Sequence, residues 1–285
     1  MRHAGDARRL ELPAAWAGVL VVGDVHGHAD RFAAFAEWAR VRGLYLIQLG
    51  DLVDRGPDTP GALRLARLLG ESGRGEILAG NHEFKLHRIL TGRAVRIAAE
   101  HRETLRQLRT APDGRALEDW FVRAFSSFPL VLGLGGTVLV HGALAPDMCP
   151  PVMRFDRRRR TLALFGEVTG RRADGLPLRT YRWLDALPEG LLVIAGHDPL
   201  SGEVLHLRRG RRGARLLHLD SGAGQGGPLS AAVLDRRGRL CRTLQIPPGT
   251  TVPRPCPVVP WPGDDLSGAV GPASPAPGAR AADRG

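Results

Sequence analysis

The run Val19-Leu20-Val21-Val22-Gly23-Asp24-Val25-His26-Gly27 decides how the rest of the chain reads. A short apolar stretch ends in a glycine-flanked pair of metal-capable side chains. This pattern predicts a buried strand that delivers Asp24 and His26 to a sheet edge, where the tight loop turns both toward one point. Arg2, Arg8 and Arg9 ahead of it loosely resemble a secretory leader. The apolar run leads straight into the Asp-His loop, however, so residues 1–18 are read as a lead-in.

The same unit recurs. Leu44–Leu49 stops at Gly50-Asp51, Glu76–Ala79 at Gly80-Asn81-His82-Glu83, Thr137–Val140 at His141-Gly142, and Leu191–Ala195 at Gly196-His197. Between the early strands, Phe32, Phe35, Ala36 and Ala39 keep helical spacing. Ala62, Leu65, Leu68 and Leu69 repeat it, with Thr59 as N-cap, Pro60 at the first helical position and Gly70 as stop. Strands alternating with helices predict an α/β fold with parallel pairing at first. Residues 81–127 read as a helical insertion that could cap the site. Further on, Gly135-Gly136 marks a hairpin between Leu130–Leu134 and Thr137–Val140. Val204–Leu207 with Ala214–Leu219, and Leu229–Leu234 with Leu240–Gln245, predict antiparallel pairs of a second sheet. The domain is therefore expected over residues 19–246, and the Pro/Gly/Ala-rich stretch 247–285 as a disordered tail.

With 285 residues, 43% of them apolar, the chain can bury a substantial core, which excludes a disordered protein or a stapled mini-fold. No apolar run approaches the roughly 18 residues of a membrane span, so no membrane partner is expected. Three cysteines, Cys149, Cys241 and Cys256, fit no paired spacing and point to a reducing, cytoplasmic compartment. The net charge of +11 rests on arginine, Lys85 being the sole lysine. Such a bias reflects coding background as much as a partner.

Asp24, His26, Asp51, Asn81, His141 and His197 together offer two carboxylates, one amide oxygen and three imidazoles. This mixed set suits Mn, Fe, Zn, Co or Ni better than Ca or Mg. Six donors are too many for one catalytic ion with an open position, but they suit two ions sharing a bridging carboxylate. Taken singly, an Asp or His at a strand end is ordinary loop chemistry, and Asn81 an N-cap. Their ordered recurrence at βα junctions outweighs those readings.

Gly-Asp-Val-His-Gly, Gly-Asp-Leu-Val-Asp-Arg-Gly and Gly-Asn-His-Glu, followed by His141-Gly142 and Gly196-His197, resemble the calcineurin-like metallophosphoesterases over about residues 19–235. Asp54-Arg55-Gly56 favours the phosphoprotein-phosphatase branch. The resemblance implies an α/β fold, a four-layer α/β/β/α sandwich of two mixed sheets with flanking helices. It also implies two divalent transition-metal ions, manganese first and iron or zinc as alternatives. Asp24, His26 and Asp51 would hold one ion, and Asp51, Asn81, His141 and His197 the other. A metal-activated hydroxide would attack phosphorus, His82 would protonate the leaving oxygen, and Asp54 would orient His82. Arg55, Arg179 and His82 would contact the substrate phosphate, Arg55 with a planar fork that lysine lacks. Arg179 is preferred over Arg171, Arg172 and Arg182 because Gly-Leu-Pro-Leu-Arg-Thr-Tyr-Arg-Trp resembles a segment of the phosphatase module of bacterial polynucleotide kinase-phosphatase. Asp220 in Leu-Asp-Ser-Gly resembles a family turn that supports the metal histidines, a plain turn aspartate being the alternative. Two departures stand out: Ala143 after His-Gly, and Asp198 after Gly-His where threonine is common. Asp198 either crowds the second metal or turns into solvent.

A phosphorylated substrate follows, with protein phosphoserine or phosphothreonine as first expectation. The alternative is a nucleotide or polynucleotide phosphatase, either a dinucleoside tetraphosphate hydrolase or a 3′-end phosphatase. Asp58-Thr59-Pro60-Gly61 and the Arg179 segment resemble the repair module, but no kinase P-loop or ligase motif accompanies them, so nucleic acid is not the favoured partner. A non-catalytic phosphate-binding module is disfavoured because every expected ligand and His82 are present. His87 and His101 read as packing or rim residues, Trp16, Trp38, Trp120 and Trp183 as core, and Arg157–Arg160 and Arg208–Arg212 as solvated loops. Oligomeric state leaves no signal in the sequence.

Overall fold

Val19 and Val21 face one way, Leu20 and Val22 the other, and all four are fully buried. A strand covered on both faces reads as a continuous apolar run instead of an alternating one. The computed structural model describes residues 6–262 apart from 152, 172, 174–176 and 201. Strands β1 (Ala7–Arg9) and β2 (Gly18–Val22) precede helix α1 (Ala29–Val41), then β3 (Leu44–Gln48), α2 (Thr59–Glu71) and β4 (Gly75–Ile77). Helices α3 (Asn81–Leu90), α4 (Ala99–Thr110) and α5 (Gly114–Ala124) form the expected insertion. After them come β5 (Val131–Leu134), β6 (Thr137–Val140), α6 (Arg157–Phe165), β7 (Glu167–Arg171), β8 (Pro177–Thr180) and β9 (Leu192–Ala195). The chain continues through β10 (Leu205–Arg209), β11 (Arg215–His218), β12 (Leu229–Asp235), β13 (Leu240–Ile246), β14 (Arg254–Pro255) and β15 (Val258–Pro260).

One sheet runs β14-β13-β12-β2-β3-β4 and the other β1-β5-β6-β9-β11-β10-β15, with β7 and β8 as a separate pair. Both large sheets are mixed: β2, β3 and β4 pair in parallel, whereas β12 runs antiparallel to β2. Three apolar layers separate the elements. Leu20 and Val22 pack with Phe32, Phe35 and Leu63 of α1 and α2. Val19, Val21 and Ile47 meet Leu139, Ile194 and Leu217 of the second sheet. Val140, Val193 and Leu216 pack outward against Ala163 and Leu164 of α6. The order is α/β/β/α, as the resemblance implies.

Several expectations are corrected. Asp58, not Thr59, caps α2: its Oδ1 accepts the Gly61 N–H at 2.8 Å, while the Thr59 N–H goes to Gln107 Oε1 at 2.8 Å. The helix also runs one residue past Gly70. Asp58→Ala is expected to lower stability by about 1 kcal/mol, read from the urea unfolding midpoint. Arg157–Arg160 form the first turn of α6, capped by Asp156, which accepts from Arg159 N at 2.8 Å. Arg208 is strand, its guanidinium lying between Tyr181 (4.3 Å) and Trp261 (4.2 Å). Of the four tryptophans expected in the core only Trp183 is buried.

The structured chain also extends beyond 19–246. Ala7 is buried and β1 pairs with β5, while β14 and β15 pair with β13 and β10. Composition misled here because these strands lie at sheet edges, where proline is tolerated. Thr243 supplies the anchor, its hydroxyl donating to Cys256 O at 2.6 Å and its carbonyl accepting from Cys256 N at 3.1 Å. Residues 263–285 of the expected tail lie outside the described residues. Among the described residues no helix is long and apolar enough to cross a membrane.

Candidate active site

The loops that follow β2, β3, β4, β6 and β9 converge on one rim. Gly50, at φ +94°, and Gly80 let two of them touch. A Cβ on Gly50 would come within 2.7 Å of Gly80 Cα, and one on Gly80 within 2.4 Å of Asp51 Oδ1. Any side chain at either position would push the Asp51 loop off the Asn81 loop.

Asp51 sits at the middle of the cluster. Its Oδ1 lies 3.2 Å from His141 Nε2, and its Oδ2 lies 3.8 Å from His26 Nε2 and 3.7 Å from His82 Nε2. On the His141 side, Asn81 Oδ1 (3.0 Å) and His197 Nδ1 (3.1 Å) approach the same ring nitrogen. Asp24 joins them by accepting the His197 backbone N–H on both oxygens, at 3.1 and 3.0 Å. Five of the six expected donors thus gather around Asp51, which is common to the His26 side and the His141 side, and Asp24 is tied to them through the His197 backbone.

The protonation pattern tests whether cations fit. His26 Nδ1–H donates to Val53 O (2.9 Å), His141 Nδ1–H to Leu49 O (3.0 Å) and His197 Nε2–H to Phe165 O (3.1 Å). Each ring has committed its proton to a backbone carbonyl, which leaves the second nitrogen of His141 facing Asp51 Oδ1, Asn81 Oδ1 and His197 Nδ1, while that of His26 faces Arg55 Nη1. Acceptors facing acceptors repel one another unless a proton or a metal cation lies among them; burial opposes a second proton on His141, but the Asp51 carboxylate outweighs it and pushes His141 up. Anchoring through the remote nitrogen is typical of ligating imidazoles. Burial pushes His26 down to about 3 and His197 well below its ordinary range, which keeps both rings neutral. The nitrogen and oxygen donors present therefore fit divalent transition metals. Backbone strain concentrates here as well. Among the described residues the non-glycines with positive φ are His26, Asp51, Asp54, Arg55 and His197, each costing about 1–2 kcal/mol.

Behind the donors stand Glu83, His101, Thr104 and Gln107, to which the sequence assigns no part in the site, together with the expected pair His82 and Asp54. The fully buried Glu83 accepts four backbone N–H bonds, from Asp51 (2.7 Å) and Gly80 (3.0 Å) on Oε2, and from Leu52 (2.8 Å) and Val53 (3.3 Å) on Oε1. It fastens the second loop to the third. His82 Nδ1–H donates to Asp54 Oδ2 at 2.6 Å, and Thr104 Oγ1–H to Asp54 Oδ1 at 2.6 Å. His101 is buried on α4 with Nε2 3.7 Å from the same carboxylate, and Gln107 donates to Gly56 O at 3.0 Å. The spacing of His101, Thr104 and Gln107 places them on one helical face. A polar stripe at that period was the available signal.

Two guanidinium groups approach from opposite ends. Arg55 Nη1 lies 3.1 Å from His26 Nε2, and Arg179 Nη2 lies 3.0 Å from His197 Nε2. Of the other arginines considered, Arg171 and Arg182 are exposed and Arg172 lies outside the described residues.

Residues 18–221 match the family model described as calcineurin-like phosphoesterase. The chain belongs to this family. It is 28% identical over 226 residues to the bis(5′-nucleosyl)-tetraphosphatase PrpE [asymmetrical] of Geobacillus thermodenitrificans, covering 74% of this chain and 88% of that protein. The protein of the same name from Bacillus subtilis is 26% identical over 225 residues, again 74% and 88%. A solved structure provisionally described as a diadenosine tetraphosphatase superposes with a TM-score of 0.57 at 22% identity, covering 86% of this chain and 98% of its own. Protein PH1004 of Pyrococcus horikoshii gives 0.51 at 13% identity, covering 82% and 89%. These two likenesses confirm the fold. The phosphoesterase is thus an enzyme that hydrolyses phosphate esters.

In this phosphoesterase Asp198 neither crowds the donors nor turns into solvent. It accepts the Tyr181 hydroxyl on Oδ2, and Arg179 Nη1 lies 3.4 Å from Oδ1, so it positions the arginine. Asp220 Oδ1 accepts the Gly222 N–H at 2.9 Å, the bond of a turn aspartate. It is nonetheless buried, and that burial pushes it up to about 6. A carboxyl raised above its unfolded 3.8 contributes stability in full below that value and loses it as the pH climbs through about 6. In chelator-treated phosphoesterase, Asp220→Asn should therefore add up to about 3 kcal/mol near pH 8 and almost nothing below about pH 4. Urea unfolding at both pH values checks this. Thr104→Val is expected to lower kcat about tenfold without changing the unfolding midpoint by much, because it only loosens the Asp54 orientation of His82.

Proposed function

We propose that the phosphoesterase cleaves dinucleoside tetraphosphates, with manganese as the first metal to supply. One observation carries this reading: relatives aligned along 74% of this chain and 88% of their own length are named for that asymmetrical activity. It favours the nucleotide alternative over the protein serine/threonine phosphatase. Arg55 and Arg179 at opposite ends of the Asp51 cluster support it, since a phosphate chain offers oxygens to both.

Two cations held by Asp24, His26 and Asp51, and by Asp51, Asn81, His141 and His197, would supply Lewis-acid polarisation and a water of lowered pKa. Arg55 and Arg179 bind non-bridging phosphate oxygens. His82 keeps Nδ1–H on Asp54 and presents Nε2 toward the cluster, where its proton can pass to the departing oxygen. Water adds across one P–O–P link: its oxygen stays on the attacked phosphorus and a proton ends on the departing phosphate. Cleavage into unequal halves gives a nucleoside monophosphate and a nucleoside triphosphate.

A manganese-supplemented comparison of diadenosine tetraphosphate, a phosphoserine peptide and a 3′-phosphorylated oligonucleotide tests the reading. The dinucleotide should lead in kcat/KM by at least about tenfold. A lead for the phosphopeptide would return the enzyme to the protein phosphatases.

A further inference from the structure

A groove between α3 and α6 plays no part in the chemistry above. It encloses about 900 Å³, within the size of a nucleotide or cofactor site. Phe84 and Phe165 form its floor, meeting edge to face with ring centres 6.1 Å apart. Lys85, Arg88, Arg157 and Arg160 line its walls, and among the described residues no carboxylate does. Arg160 is matched by Asp6 at 2.9 Å, and Arg88 is steadied by donating from Nε to Ala94 O at 3.2 Å. Lys85 and Arg157 enter no ion pair among the described residues, so their charge is uncommitted.

Both walls of the groove belong to segments that also reach the active site. Helix α3 starts on Asn81, so Phe84 lies about one turn along it. Phe165 supplies the carbonyl that accepts His197 Nε2–H. The two aromatic residues are thus neighbours in the chain of groups at the rim beside Asn81 and His197. Aromatic faces hold a flat base by stacking, and arginine adds its own planar contact, as over Phe84 where Arg88 lies 5.7 Å from the ring centre. A phosphopeptide would find the cations but would have no use for the floor.

We propose that this groove binds one nucleoside of the substrate and the phosphates next to it. This deepens the dinucleotide reading and rests on it. Calorimetry on the full chain, comparing ADP with pyrophosphate, provides the test. The wild type should hold ADP at least about tenfold more tightly than pyrophosphate, and Phe84→Leu, which keeps the apolar volume but removes the π face, should erase most of that difference. The double variant Lys85→Ala, Arg157→Ala should lower kcat/KM for diadenosine tetraphosphate relative to p-nitrophenyl phosphate about tenfold. Equal binding of ADP and pyrophosphate by the wild type, or an ADP preference that survives Phe84→Leu, would overturn the proposal. An ADP preference without dinucleotide cleavage would sink the substrate reading and leave the groove standing. Cleavage without the preference would do the reverse.

Discussion

Asp51→Asn is expected to lower phosphate-ester turnover by at least about 10³-fold, or roughly 4 kcal/mol of activation free energy. Asp51 is the side chain common to the two donor groups, one oxygen toward His141 and the other toward His26 and His82. An amide has the same shape but puts an NH2 at one of those positions, a donor where a cation should be met by a lone pair. The metal count per chain, measured by elemental analysis, should fall with the rate. The variant should still fold, because the Glu83 bonds to backbone N–H groups hold the loop independently of the Asp51 side chain. A variant that kept both its metal and its rate would show that the carboxylate is not shared.

The second large effect concerns proton delivery. His82→Ala is expected to reduce kcat by about 10²–10⁴-fold, most steeply for alkyl phosphates whose leaving oxygen needs a proton. A departing nucleotide or p-nitrophenolate leaves more easily and should lose less. His82 Nε2 also lies close to the His26 and Asp51 donors, which makes it geometrically able to ligate. Metal content separates the roles, since an acid can be deleted with the ions retained. Equal losses for good and poor leaving groups, or a loss of metal, would overturn the acid assignment.

The strand ends were legible because two signals coincided in each: an apolar run short enough for a buried strand, then a glycine beside a side chain with ligand chemistry. That coincidence singles out Asp24, His26, Asp51, Asn81, His141 and His197 in the sequence. Arg179 is reached by resemblance alone, and it lies 3.0 Å from His197 Nε2. Residues that act through others left weaker traces. Thr104 and His101 lie about 50 positions from Asp54 in the chain, and only the packing of α4 brings them near it. Asp198 was ambiguous because its partner Tyr181 is brought to it by the β8 segment, a contact without local periodicity. The aromatic and basic residues of the groove were likewise visible one by one, but not as a juxtaposition of two helices.

The strands near the chain ends also bear on edge pairing between copies. β1 and β15 border one large sheet and β14 and β4 the other, and three of these four borders carry arginine or proline: Arg8, Arg9, Arg254, Pro255 and Pro260. Such residues discourage further strand addition. A chain trimmed to residues 18–246 would keep every donor to the cations yet lay bare the backbone of β5, β10 and β13. It should stick to itself, and its apparent inactivity would then be a colloidal failure, not a catalytic one.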